Sequence, residues 1–226
     1  MQAVIFDLFE TLVTEWDKPK YTSRAIASDL DVDFQAFDRE KKALSTAHFL
    51  GKFPDTTQFF EEILRKLDLT RDTSLLLEIA RKREEYKRKC FDIIEPGITE
   101  MLSALKEKGC KIGLISNCSP EEIGGFWDSS LCRYFDAVVM SCDVGLIKPD
   151  AKIYEHCLTM LNETPSNCLF IGDGSSDELN GARKAGLNPL KAVWFTKHFA
   201  DINDDDASRI YPILFEPSEV QKYIIA

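Results

Sequence analysis

The chain reads as an α/β protein built on a parallel sheet, with a helical segment inserted after its first strand. Three observations predict this. An apolar strand at the start runs into a carboxylate, a long stretch shows helical periodicity without strand-like runs, and short apolar runs then alternate with helical ones to the end.

The first strand is Ala3-Val4-Ile5-Phe6, followed directly by Asp7. A strand of an open α/β sheet delivers its last residue to an edge where backbone N–H groups are free, which is how such sheets place a nucleophile. Asp7 is therefore the candidate nucleophile. Residues 14 to about 92 carry helical patterns at Tyr21 to Asp31, Phe34 to Phe49, Thr57 to Leu67 and Thr73 to Cys90. The third is capped by Asp55-Thr56-Thr57 and sets Phe59, Phe60, Ile63, Leu64 and Leu67 on one face. From Glu95 the texture changes. Pro96 to Lys108 reads as a helix ended by Gly109, and Ile112 to Ile115, Ala137 to Met140, Cys168 to Ile171 and Ala192 to Phe195 read as strands. The expected division is a sheet domain of residues 1–13 and 93–226 and a helical segment of residues 14–92.

Composition bounds the function. With 226 residues, 44% hydrophobic and 29% charged, the chain can bury one good core and a small appended domain. A formal charge of -10 argues against a general nucleic-acid binder, because phosphate backbones are held by clustered Lys and Arg. Local cations or a metal must then handle an anionic substrate. No stretch approaches the roughly 18 apolar residues of a membrane span, and Met1 leads straight into the first strand, so no membrane partner is expected and the expected compartment is cytoplasmic. The seven cysteines are odd in number and never spaced as CxxC, which reads as reduced thiols. Asp204-Asp205-Asp206 reads as a solvated loop.

Three strand tips carry polar groups that suit a single reaction centre, namely Asp7, then Ser116-Asn117, then Asp173 with Asp177. In a parallel sheet these tips share an edge, so residues far apart in sequence converge there. The run Gly145-Leu146-Ile147-Lys148-Pro149 adds a fixed cation. Three acids around one site repel unless a cation is bound, and hard oxygen ligands in that number suit Mg²⁺. Lys148 supplies a point charge and Ser116 a hydrogen-bond donor to the same substrate oxygens.

The set Asp7-x-x-x-Thr11-Leu12, Ser116-Asn117, Lys148-Pro149-Asp150 and Gly172-Asp173-x-x-x-Asp177 resembles the haloacid dehalogenase superfamily of hydrolases across essentially the whole chain. The resemblance implies a Rossmann-like core, an α-helical cap that closes over the substrate, and an aspartyl-enzyme intermediate on Asp7, with Thr11, Ser116, Asn117 and Lys148 completing the catalytic set. It also implies Mg²⁺ on Asp7, Asp173 and the backbone carbonyl of Phe9, with Asp177 as a direct or outer ligand. Phe9 departs from the phosphatase pattern, in which an Asp there protonates the leaving alcohol and then activates water. General acid/base help is typically worth about 10²- to 10⁴-fold, so slow hydrolysis of ordinary monoesters is expected.

The expected activity is Mg²⁺-dependent hydrolysis of a small phosphorylated metabolite, an anionic small-molecule substrate. Two alternatives stay open. An aromatic residue at position 9, with Tyr154 six residues after Lys148, resembles the metal-free 2-haloacid dehalogenases, for which Arg24 and Arg39 are the available carboxylate-binding candidates. A fold that retains its metal site as a catalytically impaired binding protein is the other. Lys41, Lys42 and Lys52 would supply a Schiff base only if the reaction were phosphonate cleavage. Glu10 reads first as a loop-stabilising residue, Tyr154 as a core residue, and Gly51 as a tight turn between helices.

Overall fold

A computed structural model of the protein describes residues 2–198 and 206–224; Asp204 and Asp205 of the acidic run lie outside the described residues. Strand β1 (Ala3–Phe6) is followed by four helices, α1 (Ser23–Asp29), α2 (Phe34–Phe49), α3 (Thr56–Lys66) and α4 (Thr73–Arg88). The chain continues through α5 (Pro96–Glu107), β2 (Lys111–Ser116), α6 (Pro120–Asp128), β3 (Ala137–Met140), α7 (Ser141–Val144) and α8 (Ala151–Leu161). It closes with β4 (Cys168–Gly172), α9 (Glu178–Lys184), β5 (Asn188–Ala192), α10 (Asp206–Ile210) and β6 (Ile213–Leu214). No helix among the described residues is long and apolar enough to cross a membrane.

The strands form one parallel sheet in the order β3-β2-β1-β4-β5-β6. From β1 the chain builds outward on one side, returns across β1, and builds outward on the other. The tip of β1 is thus the point where the strand order reverses, the place where open α/β sheets hold ligands. Alternation along β1 explains its apolar run. Val4 and Phe6 enter one core cluster with α5 and α6 residues, whereas Ala3 and Ile5 enter the other with α8 and α9 residues.

The helices between β1 and α5 pack around a third cluster of their own, with Phe37, Phe59, Phe60, Ile63, Leu76 and Ile79 at its centre. Burying each such side chain contributes about 1.5–3 kcal/mol, enough for these amphipathic helices to hold together. Asp33 and Asp55 cap α2 and α3, accepting from the N–H groups of Ala36 and Gln58 at 2.9 Å each. Gly51 has φ +67, and a Cβ there would lie 2.0 Å from the Cys142 carbonyl oxygen, so the turn after α2 can touch the β3–α7 corner only as glycine.

Most boundaries move by one or two residues from the sequence expectation, and two elements are instructive. The first helix begins at Ser23, because Thr22 is its cap, and stops at Asp29 before Asp31 turns left-handed at φ 52. The last long strand is Asn188–Ala192 rather than Ala192 to Phe195. Asn188-Pro189 carries a turn signature, yet Pro189 fits a strand whose first residues pair only with β4. The apolar run beyond it turns instead, and Trp194 Nε1 donates to the Thr11 carbonyl at 2.8 Å. All seven cysteines are free thiols.

Candidate active site

The tips of β2, β1 and β4 stand side by side, and their residues meet as the register requires. Phe6 is level with Leu114 and Ile171, so Asp7, Ser116 and Asp173 emerge within two residues of that line. The Asp7 N–H donates to the Ile171 carbonyl at 2.8 Å, which fixes the carboxylate at the sheet edge. Thr11 Oγ1 donates to Asp7 Oδ2 at 3.3 Å.

Lys148 reaches this point from the loop between α7 and α8. Its ammonium donates to Asp7 Oδ1, and to Glu178 Oε2 at 2.6 Å. The Lys148 backbone is gripped by Asn117: its N–H donates to Asn117 Oδ1 at 2.8 Å and its carbonyl accepts from Asn117 Nδ2 at 3.0 Å. Asn117 is thus a positioning residue for the cation. Ser116 Oγ is buried and has no hydrogen-bond partner among the described residues. A hydroxyl buried unsatisfied costs roughly 1–3 kcal/mol, a cost a ligand oxygen would offset.

Glu178 is the member that sequence reasoning missed. It opens α9, is fully buried, and accepts from the Gly174 N–H at 3.1 Å as well as from Lys148. Its carboxylate fills the space beside Gly172, where a Cβ would lie 2.1 Å from Glu178 Oε1. Leu179, Gly181 and Ala182, small or apolar at helical spacing, mark a buried face, but the acid that opens it reads as a solvated charge. Gly181 completes the fit, because a Cβ there would lie 2.7 Å from the Tyr154 hydroxyl.

Asp177, expected as a direct or outer metal ligand, is not among the carboxylates that gather with Asp7 among the described residues. It is exposed, has φ 55, and accepts from Asn180 Nδ2 at 2.5 Å. The third carboxylate is Glu178: Asp7, Asp173 and Glu178 each offer an oxygen within 4.8 Å of the others. One residue of shift has a simple cause, since consecutive side chains at a helix start point about 100° apart and the helix turns 178 inward.

Burial raises the Asp7 pKa against the opposing charge of Lys148. Burial, helped by the Asp7 charge, pushes Glu178 up to about 8. Burial would lower Lys148, but the charges of Asp7 and Glu178 hold it well above the usual lysine range. Three carboxylates thus gather at a point where one ammonium pairs with two of them, Asp7 and Glu178. Their oxygen donors and uncompensated negative charge fit a hard divalent cation such as Mg²⁺.

The other candidates are engaged elsewhere. The Phe9 ring packs edge-on against Phe91, 6.4 Å between centroids, with Lys87 Nζ 5.7 Å from its centre. Glu10 is a loop brace, accepting from Thr14 Oγ1 at 2.6 Å and the Glu15 N–H at 2.9 Å. Tyr154 is a core residue whose hydroxyl donates to the Glu178 carbonyl at 2.7 Å. Arg24 lies over the Phe34 ring and Arg39 pairs with Glu40. Lys42 pairs with Asp38, whereas Lys52 is exposed.

The helical segment meets the sheet domain through buried charge. Arg83 Nε of α4 donates to Glu121 Oε1 of α6 at 2.8 Å, and Lys87 reaches Glu122 at 2.7 Å and Glu15 at 2.8 Å. His48 Nε2 lies 3.2 Å from Glu121 Oε2, its ring stacked on Phe59 at 3.8 Å.

The family model described as haloacid dehalogenase-like hydrolase matches residues 1–186. A glyceraldehyde 3-phosphate phosphatase of Pyrococcus abyssi is 26% identical over 208 residues, covering 86% of this chain and 81% of the relative. The pyrophosphatase PpaX of Bacillus cereus is 24% identical over 222 residues, 95% of this chain and 96% of its own. The crystal structure of a 2-haloacid dehalogenase from Pseudomonas syringae shares the fold, with TM-score 0.67 at 20% identity, covering 98% of this chain and 97% of that one.

Proposed function

We propose, from the premise that the chain belongs to the haloacid dehalogenase-like hydrolases, that it is a Mg²⁺-dependent phosphatase of small phosphorylated metabolites. The carrying observation is the cluster of Asp7, Asp173 and Glu178, two of which, Asp7 and Glu178, share the Lys148 ammonium. A metal-free dehalogenase site has little use for three clustered carboxylates, whose mutual repulsion is costly to hold. The phosphatase and pyrophosphatase named among the relatives support a phosphorylated substrate.

Asp7 attacks phosphorus through a carboxylate oxygen; the new O–P bond forms as the bond to the leaving oxygen breaks, and that oxygen keeps the electron pair. Lys148, fixed by Asn117, offsets charge on the transferring group, and Ser116 Oγ donates to a phosphoryl oxygen. Water then attacks the aspartyl phosphate and restores Asp7. Asp7, Asp173, Glu178 and the Phe9 carbonyl would hold Mg²⁺, which would supply charge neutralisation at the phosphoryl oxygens. Because Phe9 provides no acid, substrates with good leaving groups, such as acyl phosphates, are favoured. In this reading residues 14–92 act as the cap that excludes water from the intermediate.

The test is a panel of phosphate esters and anhydrides assayed with and without Mg²⁺. Metal-dependent phosphate release that disappears in Asp7→Asn supports the reading. Undetectable phosphate release together with metal-independent halide release from 2-chloropropionate overturns it in favour of a dehalogenase.

A further inference from the structure

A cavity of about 210 Å³ opens between residues 15–23, α2 and α4. Its lining carries the cations Lys18, Lys20, Lys41, Arg83 and Lys87 against the carboxylate of Glu15. On a chain of net charge -10 this concentration of positive charge is local and needs a cause. Arg83 and Lys87 have one: Glu121 and Glu122 brace them from α6. Lys41 does not. It is half-buried, makes no ion pair or hydrogen bond among the described residues, and its near neighbour Asp38 is taken by Lys42 at 2.6 Å. Burial and the neighbouring Arg83 charge also hold the Lys41 pKa below the usual lysine value, a cost that a bound anion would relieve.

The cavity adjoins the catalytic loop. Lys87, in its wall, stands 5.7 Å from the centre of the Phe9 ring, two residues from the nucleophile. Phe9 offers no proton to the leaving group, so that group departs as an anion. Cations on the same side stabilise such an anion without proton transfer.

We propose that this cavity holds a second anionic group, phosphate or carboxylate, carried on the leaving-group side of the substrate, with Lys41 as its principal contact and Arg83 and Lys87 as braced partners. The substrate class is then a phosphoanhydride or an acyl phosphate whose leaving group carries that second anion. The leaving-group assignment rests on the reading of Asp7 as the phosphoryl acceptor. In the reaction the Asp7 O–P bond forms, the bond from phosphorus to the leaving oxygen breaks, and the electron pair stays on an oxygen that leaves unprotonated toward these cations.

Two measurements test it. Titration calorimetry of pyrophosphate into the Asp7→Asn protein without added metal is compared with the same protein carrying Lys41→Ala or Lys41→Arg. The alanine variant is expected to bind at least about tenfold more weakly and the arginine variant to recover most of that loss. In the otherwise native enzyme, the ratio of kcat/KM for pyrophosphate to that for p-nitrophenyl phosphate, which lacks a second anion, is expected to fall about tenfold with Lys41→Ala. Equal pyrophosphate affinity with and without Lys41 overturns the proposal. Loss of affinity in a protein that turns over no phosphate compound leaves the anion site standing and overturns the phosphatase reading instead.

Discussion

Asp7, Lys148 and Glu178 form a buried triad in which each carboxylate depends on the same ammonium. Removing that ammonium leaves charges without a partner, so Lys148→Met is expected to cost about 3–5 kcal/mol in urea unfolding as well as activity. Phe9 carries no proton donor. Phe9→Asp is expected to raise kcat for an alkyl phosphate by on the order of tenfold or more relative to p-nitrophenyl phosphate, because only the poor leaving group gains from an acid. Asp7, Ser116, Lys148 and Asp173 were legible in the sequence because each follows a strand or sits in a short loop at a predictable edge. Glu178 was not, since an acid beside Asp177 at a helix start looks like one more solvated charge until the neighbouring glycine is seen to have made room for it.

Strand β4 and helix α9 meet through that glycine. A methyl group at Gly172 would collide with Glu178, so Gly172→Ala is expected to lower stability by about 1–3 kcal/mol and to displace the carboxylate from Lys148. Helices α4 and α6 are joined by charge instead. Burial alone would raise the Glu121 pKa, but His48 and Arg83 more than offset it and hold the carboxyl well below the usual range. A depressed carboxylate contributes stability that is fully present above its unfolded pKa of about 4.3 and is lost as pH falls further. Glu121→Gln is therefore expected to cost about 3–5 kcal/mol at pH 7, with the gap to the native protein closing as thermal unfolding is followed below pH 4. The helical spacing of apolar residues marks α2 to α4 in the sequence, yet nothing in a single sequence says that Glu121 and Arg83, 38 residues apart, would pair. Strand β5 was misplaced for a local reason: Asn188-Pro189 is turn chemistry that the edge of the sheet tolerates.

The whole molecule is a switch-point sheet with its reactive groups at one edge and a helical segment, with its own core, inserted directly after the nucleophile's strand. The fold class followed from the alternation of short apolar runs and helices, whereas the cationic cavity at residues 15–23, α2 and α4 depends on tertiary placement that no run of residues announces. A metal that binds the folded chain must stabilise it. At a hundredfold excess over its dissociation constant, Mg²⁺ is expected to add about 2.7 kcal/mol, or roughly 5–10 °C in the melting temperature, and Asp173→Asn to abolish most of that rise. The most direct measurement is rapid-quench mass spectrometry of the peptide bearing Asp7 after mixing the enzyme with acetyl phosphate. An added phosphoryl group on Asp7 that appears with Mg²⁺ and is absent without it is the predicted result. Phosphate release with Asp7 unmodified at every time point, or an ester on Asp7 formed from a 2-haloacid without metal, would contradict it.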